Sequence, residues 1–178
     1  MGQEIARNII LVGIMGSGKS ALASSLAKQT GGIKLDSDHA IESRFGLSVS
    51  KIFATLGEQF FRDAETRIIR EMQNRTGYIF STGGGIITRE INRSLLPSLG
   101  LVVWLHASED VLFERVSRNN RRPLLQTADP RATLHALYEQ RLPWYREIAH
   151  LQVDTGVHRR TEVVRIVLEA AGWNRSPR

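Results

Sequence analysis

The chain has 178 residues, 42% of them hydrophobic and 24% charged, enough for one domain around a two-sided α/β core. It contains no cysteine and no signal-like or membrane-spanning apolar run, which excludes disulfides and thiolate metal sites and makes a soluble cytoplasmic protein without a membrane partner the expectation. The formal net charge of +6 rests on arginine: Lys19, Lys28, Lys34 and Lys51 are the only lysines, and neither a Lys-rich tail nor a basic stripe interleaved with aromatics argues for nucleic acid.

The first predicted strand is residues 8–12, an apolar run that leads into Gly13-Ile14-Met15-Gly16-Ser17-Gly18-Lys19-Ser20. This is a complete G-x-x-x-x-G-K-[ST] phosphate loop, and the helix-forming stretch 19–28 follows it. Such a loop wraps a phosphate in backbone N–H groups, with glycines where a side chain would block the approach. Gly16, Ser17, Gly18, Lys19, Ser20 and Ala21 are therefore the expected contacts to a nucleoside triphosphate. Lys19 has the reach for the β- and γ-phosphates, Ser20 can ligate Mg²⁺, and the helix points its positive end at the same anion.

A second strand is predicted over 33–35, followed by Asp36-Ser37-Asp38 and helices over 37–45, 50–56 and 57–75. In an open parallel sheet, ligands bind at the carboxyl ends of strands, so both aspartates should face the phosphate-loop crevice. One can hold Mg²⁺ while the other takes a proton from an alcohol; the plainer alternative is a pair of helix N-caps. Arg62 stands three residues before Glu65, a spacing that equally describes an ordinary surface pair.

Strand 78–81 precedes Gly83-Gly84-Gly85, which can bare backbone N–H groups to a ligand or simply make a tight turn. Helix 89–96 and strand 101–105 come next, then a helix over 108–118 whose Ser108-Glu109-Asp110 start suits the helix dipole. Residues 119–129, with Arg121-Arg122-Pro123, form the least structured segment and a candidate lid, in which 126–129 offer nothing beyond flexibility. A helix over 130–147 carries Arg141-Leu142-Pro143-Trp144-Tyr145; a weak strand at 151–153 and a helix over 160–171 close the chain. Many of the arginines fall between Arg115 and Arg146, where a compact anionic ligand can be clamped bidentately. Strands alternating with helices predict a three-layer α/β fold with a parallel sheet covered on both faces, in a single domain over 1–178.

These motifs, in this order, resemble shikimate kinases over roughly the whole chain: residues 13–20, Asp36-Ser37-Asp38, Phe61-Arg62 with Glu65, Gly83-Gly84-Gly85, Arg122-Pro123-Leu124-Leu125, and Arg141-Leu142-Pro143-Trp144-Tyr145. The resemblance implies a P-loop kinase fold of the nucleoside-monophosphate-kinase type, a five-stranded parallel sheet in the order 2-3-1-4-5 flanked by helices, with a mobile lid at about 119–129. It implies ATP and Mg²⁺ as cofactors, the small molecule shikimate as acceptor, and a monomer. By the same match, Ser20 and Asp36 hold the metal, and Asp38 helps remove the acceptor's proton. Arg62, Arg141 and Gly83, Gly84 and Gly85 grip shikimate, while Glu65 orients the arginines from behind. Lys19 and the lid residue Arg122 neutralise the transferring phosphoryl group, and Arg115 flanks the adenine. The adenine loop departs from the family pattern, since residues 154–161 contain no proline after the expected arginine. Two rivals share parts of this pattern. A gluconate or nucleoside-monophosphate kinase shares the fold and anion clamps, and a nucleotide-binding switch would have lost Lys19, Asp38 or Arg122.

Overall fold

The computed structural model describes residues 8–118 and 127–173, so most of the predicted lid, Arg122 included, lies outside the described residues. Strands β1 (Asn8–Val12), β2 (Ile33–Asp36), β3 (Tyr78–Ser81), β4 (Gly100–His106) and β5 (Leu151–Asp154) form one sheet in the order β2-β3-β1-β4-β5. Every pairing is parallel, as the alternation of strands and helices predicts. Helices α1 (Lys19–Thr30), α2 (Ser37–Phe45), α3 (Val49–Glu71), α4 (Glu90–Leu99), α5 (Glu109–Ser117), α6 (Pro130–Ile148) and α7 (Arg160–Ala170) connect and cover the strands.

Side chains that alternate along each strand feed two separate cores. Ile10, Val12, Phe80, Val102 and Trp104 pack with Ile41, Phe61, Ile69, Leu112, Leu134 and Tyr145 on one face. Ile9, Leu11, Ile79, Val103 and Leu105 pack with Leu22 and Leu26 of α1 and Val163 and Val167 of α7 on the other. The sheet is thus fixed on both sides, and the carboxyl ends of β1, β2 and β3 converge on one crevice.

Several boundaries differ from the sequence expectation for identifiable reasons. The helices expected over 50–56 and 57–75 join end to end as α3, but Gly57 has φ 85° and breaks the helical path there. Helix α4 continues past Pro97 to Leu99, three residues beyond the expected stop. Proline removes one donor inside a helix, yet burial of Leu96 and Leu99 holds the last turn in place. A short 3-10 turn, Ile86–Thr88, precedes α4 and was not expected. Residues 127–129 also have more structure than flexibility alone: Asp129 caps α6 by accepting from the N–H groups of Arg131 (3.1 Å) and Ala132 (3.0 Å).

Asn8 anchors the sheet's amino edge. Its side chain is 1% exposed, donates to the carbonyls of Arg75 (2.7 Å) and Leu99 (3.0 Å), and accepts from Tyr78 N–H at 2.9 Å. One amide therefore ties β1 to the segment after α3 and to the end of α4. Asn8→Ala leaves these buried groups unpaired and should cost about 3 kcal/mol. Urea unfolding checks this: the midpoint should fall with the m-value unchanged.

Candidate active site

The phosphate loop leaves the central strand β1 and returns as α1. Gly13 (φ 147°) and Gly16 (φ 82°) hold backbone conformations that L side chains rarely adopt. A Cβ at Gly13 would also strike the Leu105 carbonyl, and one at Gly16 would lie 2.9 Å from Val116 Cγ1. Gly18 starts α1 in the left-handed region, Ser17 is fully buried, and Ala21 lies exposed in the first helical turn. Lys19 Nζ donates to the carbonyls of Gly13 (2.7 Å) and Ile14 (3.0 Å), so its cationic end stays over the loop.

Arg115 of α5 crosses to the same loop. It donates to Gly16 O at 3.4 Å, and to Thr155 Oγ1 and the Thr155 carbonyl at 2.9 and 2.6 Å. The loop after β5 has no proline, but Asp154 Oδ1 accepts from Gly156 N–H (2.7 Å) and Val157 N–H (3.2 Å). This Asx turn fixes the loop by another route. Sequence reasoning missed it, although the Asp-x-Gly spacing was its signal.

Ser20 Oγ donates to Asp36 Oδ2 at 3.0 Å and sits 3.4 Å from Ser81 Oγ at the end of β3. A hydroxyl and a carboxylate side by side are hard oxygen donors of the kind Mg²⁺ prefers, so the residues present fit that ion. Ser81 had no distinguishing motif of its own. Asp36 also caps α2, its Oδ1 accepting from the N–H groups of Asp38 (3.2 Å) and His39 (3.3 Å). The helix-cap reading of this aspartate is thus observed, and its carboxylate also reaches the phosphate-loop hydroxyl.

Charged side chains from α2, α3 and α6 close on Gly83-Gly84-Gly85. A Cβ at Gly83 would collide with Asp38 Oδ1 and come within 3.2 Å of Glu65 Oε1; one at Gly85 would lie 2.5 Å from Arg62 Nη1. Gly84 O accepts from Arg141 Nη1 (3.2 Å) and from the Tyr145 hydroxyl (2.7 Å). The glycines serve close approach rather than a special φ. Gly83 N–H donates to Ser37 Oγ at 2.8 Å, while the Gly83 and Gly85 carbonyls accept from Ile86 N–H (3.2 Å) and Thr88 Oγ1 (2.8 Å).

Arg62 and Glu65 are no surface pair. Arg62 is 8% exposed and Glu65 0%, joined by a 2.8 Å bond from Arg62 Nη1 to Glu65 Oε2. Glu58 accepts from the same guanidinium at 3.0 Å, and the rings of Phe53 and Phe61 flank it. Arg141, 5% exposed, is equally far from a solvated helix charge.

Titration follows from this burial. Burial pushes the Glu65 carboxyl up to about 7, although Arg62 pulls the other way. Asp38 is raised by burial and by the charge of Asp36, with Lys19 opposing. Arg141 is lowered, first by burial and then by Arg62 nearby, while Glu65 and Glu58 hold the Arg62 guanidinium above its ordinary value despite burial.

A phosphate loop at the head of a parallel sheet, opening onto a pocket of buried arginines and carboxylates, defines a P-loop kinase whose acceptor is a small anionic molecule. The shikimate kinase family model matches residues 15–171. A shikimate kinase of Chromobacterium violaceum is 45% identical over 153 residues, covering 86% of this chain and 83% of that protein. The structure of an Acinetobacter baumannii shikimate kinase in complex with shikimate superposes with a TM-score of 0.88 at 37% identity, covering 96% of each chain. A Sinorhizobium meliloti gluconokinase, 18% identical with a TM-score of 0.58 over 96% of this chain and 94% of that one, shares the fold alone. This chain belongs to the shikimate kinase family.

Gly85→Ala would press a methyl group against a guanidinium that Glu58 and Glu65 hold in place. The protein should fold, but Arg62 must shift, raising the acceptor KM about tenfold and leaving the ATP KM within about twofold. Steady-state kinetics with each substrate varied tests this.

Glu65 also sets a pH dependence. Its folded pKa lies above the ordinary 4.5, so its stabilising contribution is full below 4.5 and is lost as pH rises to about 7. Urea unfolding of wild type and Glu65→Gln across that range should show wild type losing stability relative to the variant, the difference levelling off about one pH unit above the folded pKa.

Proposed function

We propose that this chain phosphorylates the 3-hydroxyl of shikimate with ATP, yielding ADP and shikimate 3-phosphate, a step of aromatic amino-acid biosynthesis. The observation that carries the reading is the convergence of Asp38, Arg62 and Arg141 on the glycine turn beside the phosphate loop. Buried arginines leave little choice of ligand, because a desolvated guanidinium needs an anionic or strongly polar partner.

In this reading the loop N–H groups and Lys19 receive the triphosphate, with the base beside Arg115 and the 154–161 loop. Mg²⁺, held by Ser20 and Asp36, supplies positive charge to the phosphate oxygens when bound. Arg62 and Arg141 bind the acceptor's carboxylate, and the turn's donors for it are the Gly84 and Gly85 N–H groups, since Gly83 N–H is taken by Ser37 Oγ. Glu65 keeps Arg62 in place from behind.

Asp38, its pKa raised by burial, accepts the proton of the 3-hydroxyl. That oxygen bonds to the γ-phosphorus while the bond to the β,γ-bridging oxygen breaks and ADP leaves with the electron pair. Lys19 offsets the developing charge, and Arg122, outside the described residues, is assigned the same task from the lid. The enzyme acts in the cytoplasm, as a monomer.

A coupled ADP-release assay with shikimate, gluconate, nucleoside monophosphates or no acceptor tests the substrate. Turnover is expected with shikimate alone, and turnover with gluconate overturns the clamp. Asp38→Asn should lower kcat at least about a hundredfold. ATP affinity by calorimetry should not change. Near-normal turnover in this variant would remove Asp38 from the chemistry.

A further inference from the structure

We infer that Tyr145 is a positioning residue for the acceptor subsite: its hydroxyl holds the Gly84 carbonyl so that the glycine turn stays fixed and Arg141 stays available to the acceptor. The inference rests on the acceptor site proposed above and adds a residue to it.

Tyr145 is 2% exposed, on the same face of α6 as Arg141 one turn earlier. Its ring stacks on Trp104 of β4, with centroids 5.9 Å apart and planes within 14°. The ring position is thus set by the central sheet, and the hydroxyl donates to Gly84 O at 2.7 Å while also meeting the Arg141 guanidinium. Burial raises the phenol's pKa, which keeps it a proton donor. Gly84 O also accepts from Arg141 Nη1, at the longer distance of 3.2 Å. The shorter bond carries the carbonyl, and the arginine is left with donors for a ligand. Without the hydroxyl, the buried carbonyl draws on Arg141 alone, and the residue that grips the acceptor becomes committed to the backbone.

Tyr145→Phe removes the hydroxyl and keeps the ring. The expected result is a shikimate KM raised about tenfold, an ATP KM within about twofold, and little change in Tm. Trp104→Phe, which disturbs the same stack without touching the hydroxyl, should lower Tm and leave the two KM values in their wild-type ratio. Arg141→Lys, run in parallel, should raise the shikimate KM because a lysine loses the bidentate grip. If Arg141→Lys raises that KM and Tyr145→Phe does not, the role of the hydroxyl is overturned while the acceptor site stands. If neither variant moves it, both readings fall. An equal rise of both KM values in Tyr145→Phe, or the same shikimate-selective loss in Trp104→Phe, assigns the tyrosine to packing and also overturns the inference.

Discussion

The turn that ends β3 carries no side chains over Gly83-Gly84-Gly85, and the space they leave is filled by Asp38 from α2, by Arg62 and Glu65 from α3 and by Arg141 from α6. Charges from separate helices come together here because backbone, rather than Cβ atoms, lies between them. A single methyl group at position 83 would meet two carboxylates, and one at 85 would meet a guanidinium. The constraint is steric, and its consequence is electrostatic. Groups that water would otherwise keep apart are packed into one desolvated cluster, where each sets the protonation of its neighbours.

Glu65 stands at the centre of that cluster. An isolated carboxylate at 0% exposure would be prohibitively costly, and an isolated buried arginine nearly as much. Each makes the other tolerable: Arg62 holds one oxygen of Glu65 at 2.8 Å, while Glu58 and two phenylalanine rings share the rest of the guanidinium. The other oxygen, Oε1, has no hydrogen-bond partner and faces Gly83. Burial therefore outweighs the arginine and pushes the carboxyl's pKa up to about 7. Arg62 is satisfied by Glu58 and Glu65, whereas Arg141 is lowered by burial and keeps a buried Nε without a hydrogen-bond partner.

The frame of the molecule was legible in the sequence because its signals are local. The run Ile9-Ile10-Leu11-Val12 followed by the phosphate loop identifies a buried strand and the helix after it, and the strand order came with the family resemblance. The site was legible as a set of residues but not as an environment. Arg62 and Glu65 at i, i+3 look the same whether they face solvent or each other in a core, and only the tertiary contacts of α3 separate these cases. Ser81, Asp154 and Tyr145 act through partners distant in sequence, at 61 residues for Ser20–Ser81 and for Tyr145–Gly84, or through a turn too short to stand out. The end of α4 was missed as well: the helix expected over 89–96 runs through Pro97 to Leu99, whose side chain is buried.

Asp36 joins the two halves of the site. One of its oxygens accepts from Ser20, the phosphate-loop hydroxyl suited to a metal, and the other accepts from the N–H of Asp38 at the first turn of α2. In the proposed mechanism, the side chain that would hold the ion thus also fixes the backbone of Asp38, the residue proposed to take the acceptor's proton. Ser37, between them, extends the tie by accepting from Gly83 N–H, so that β2, α2 and the glycine turn form one hydrogen-bonded unit. Nucleotide and acceptor ends are linked through consecutive residues rather than through a long path. That arrangement lets a two-residue spacing at a strand end align the reacting groups, and alignment is most of what phosphoryl transfer asks of a protein.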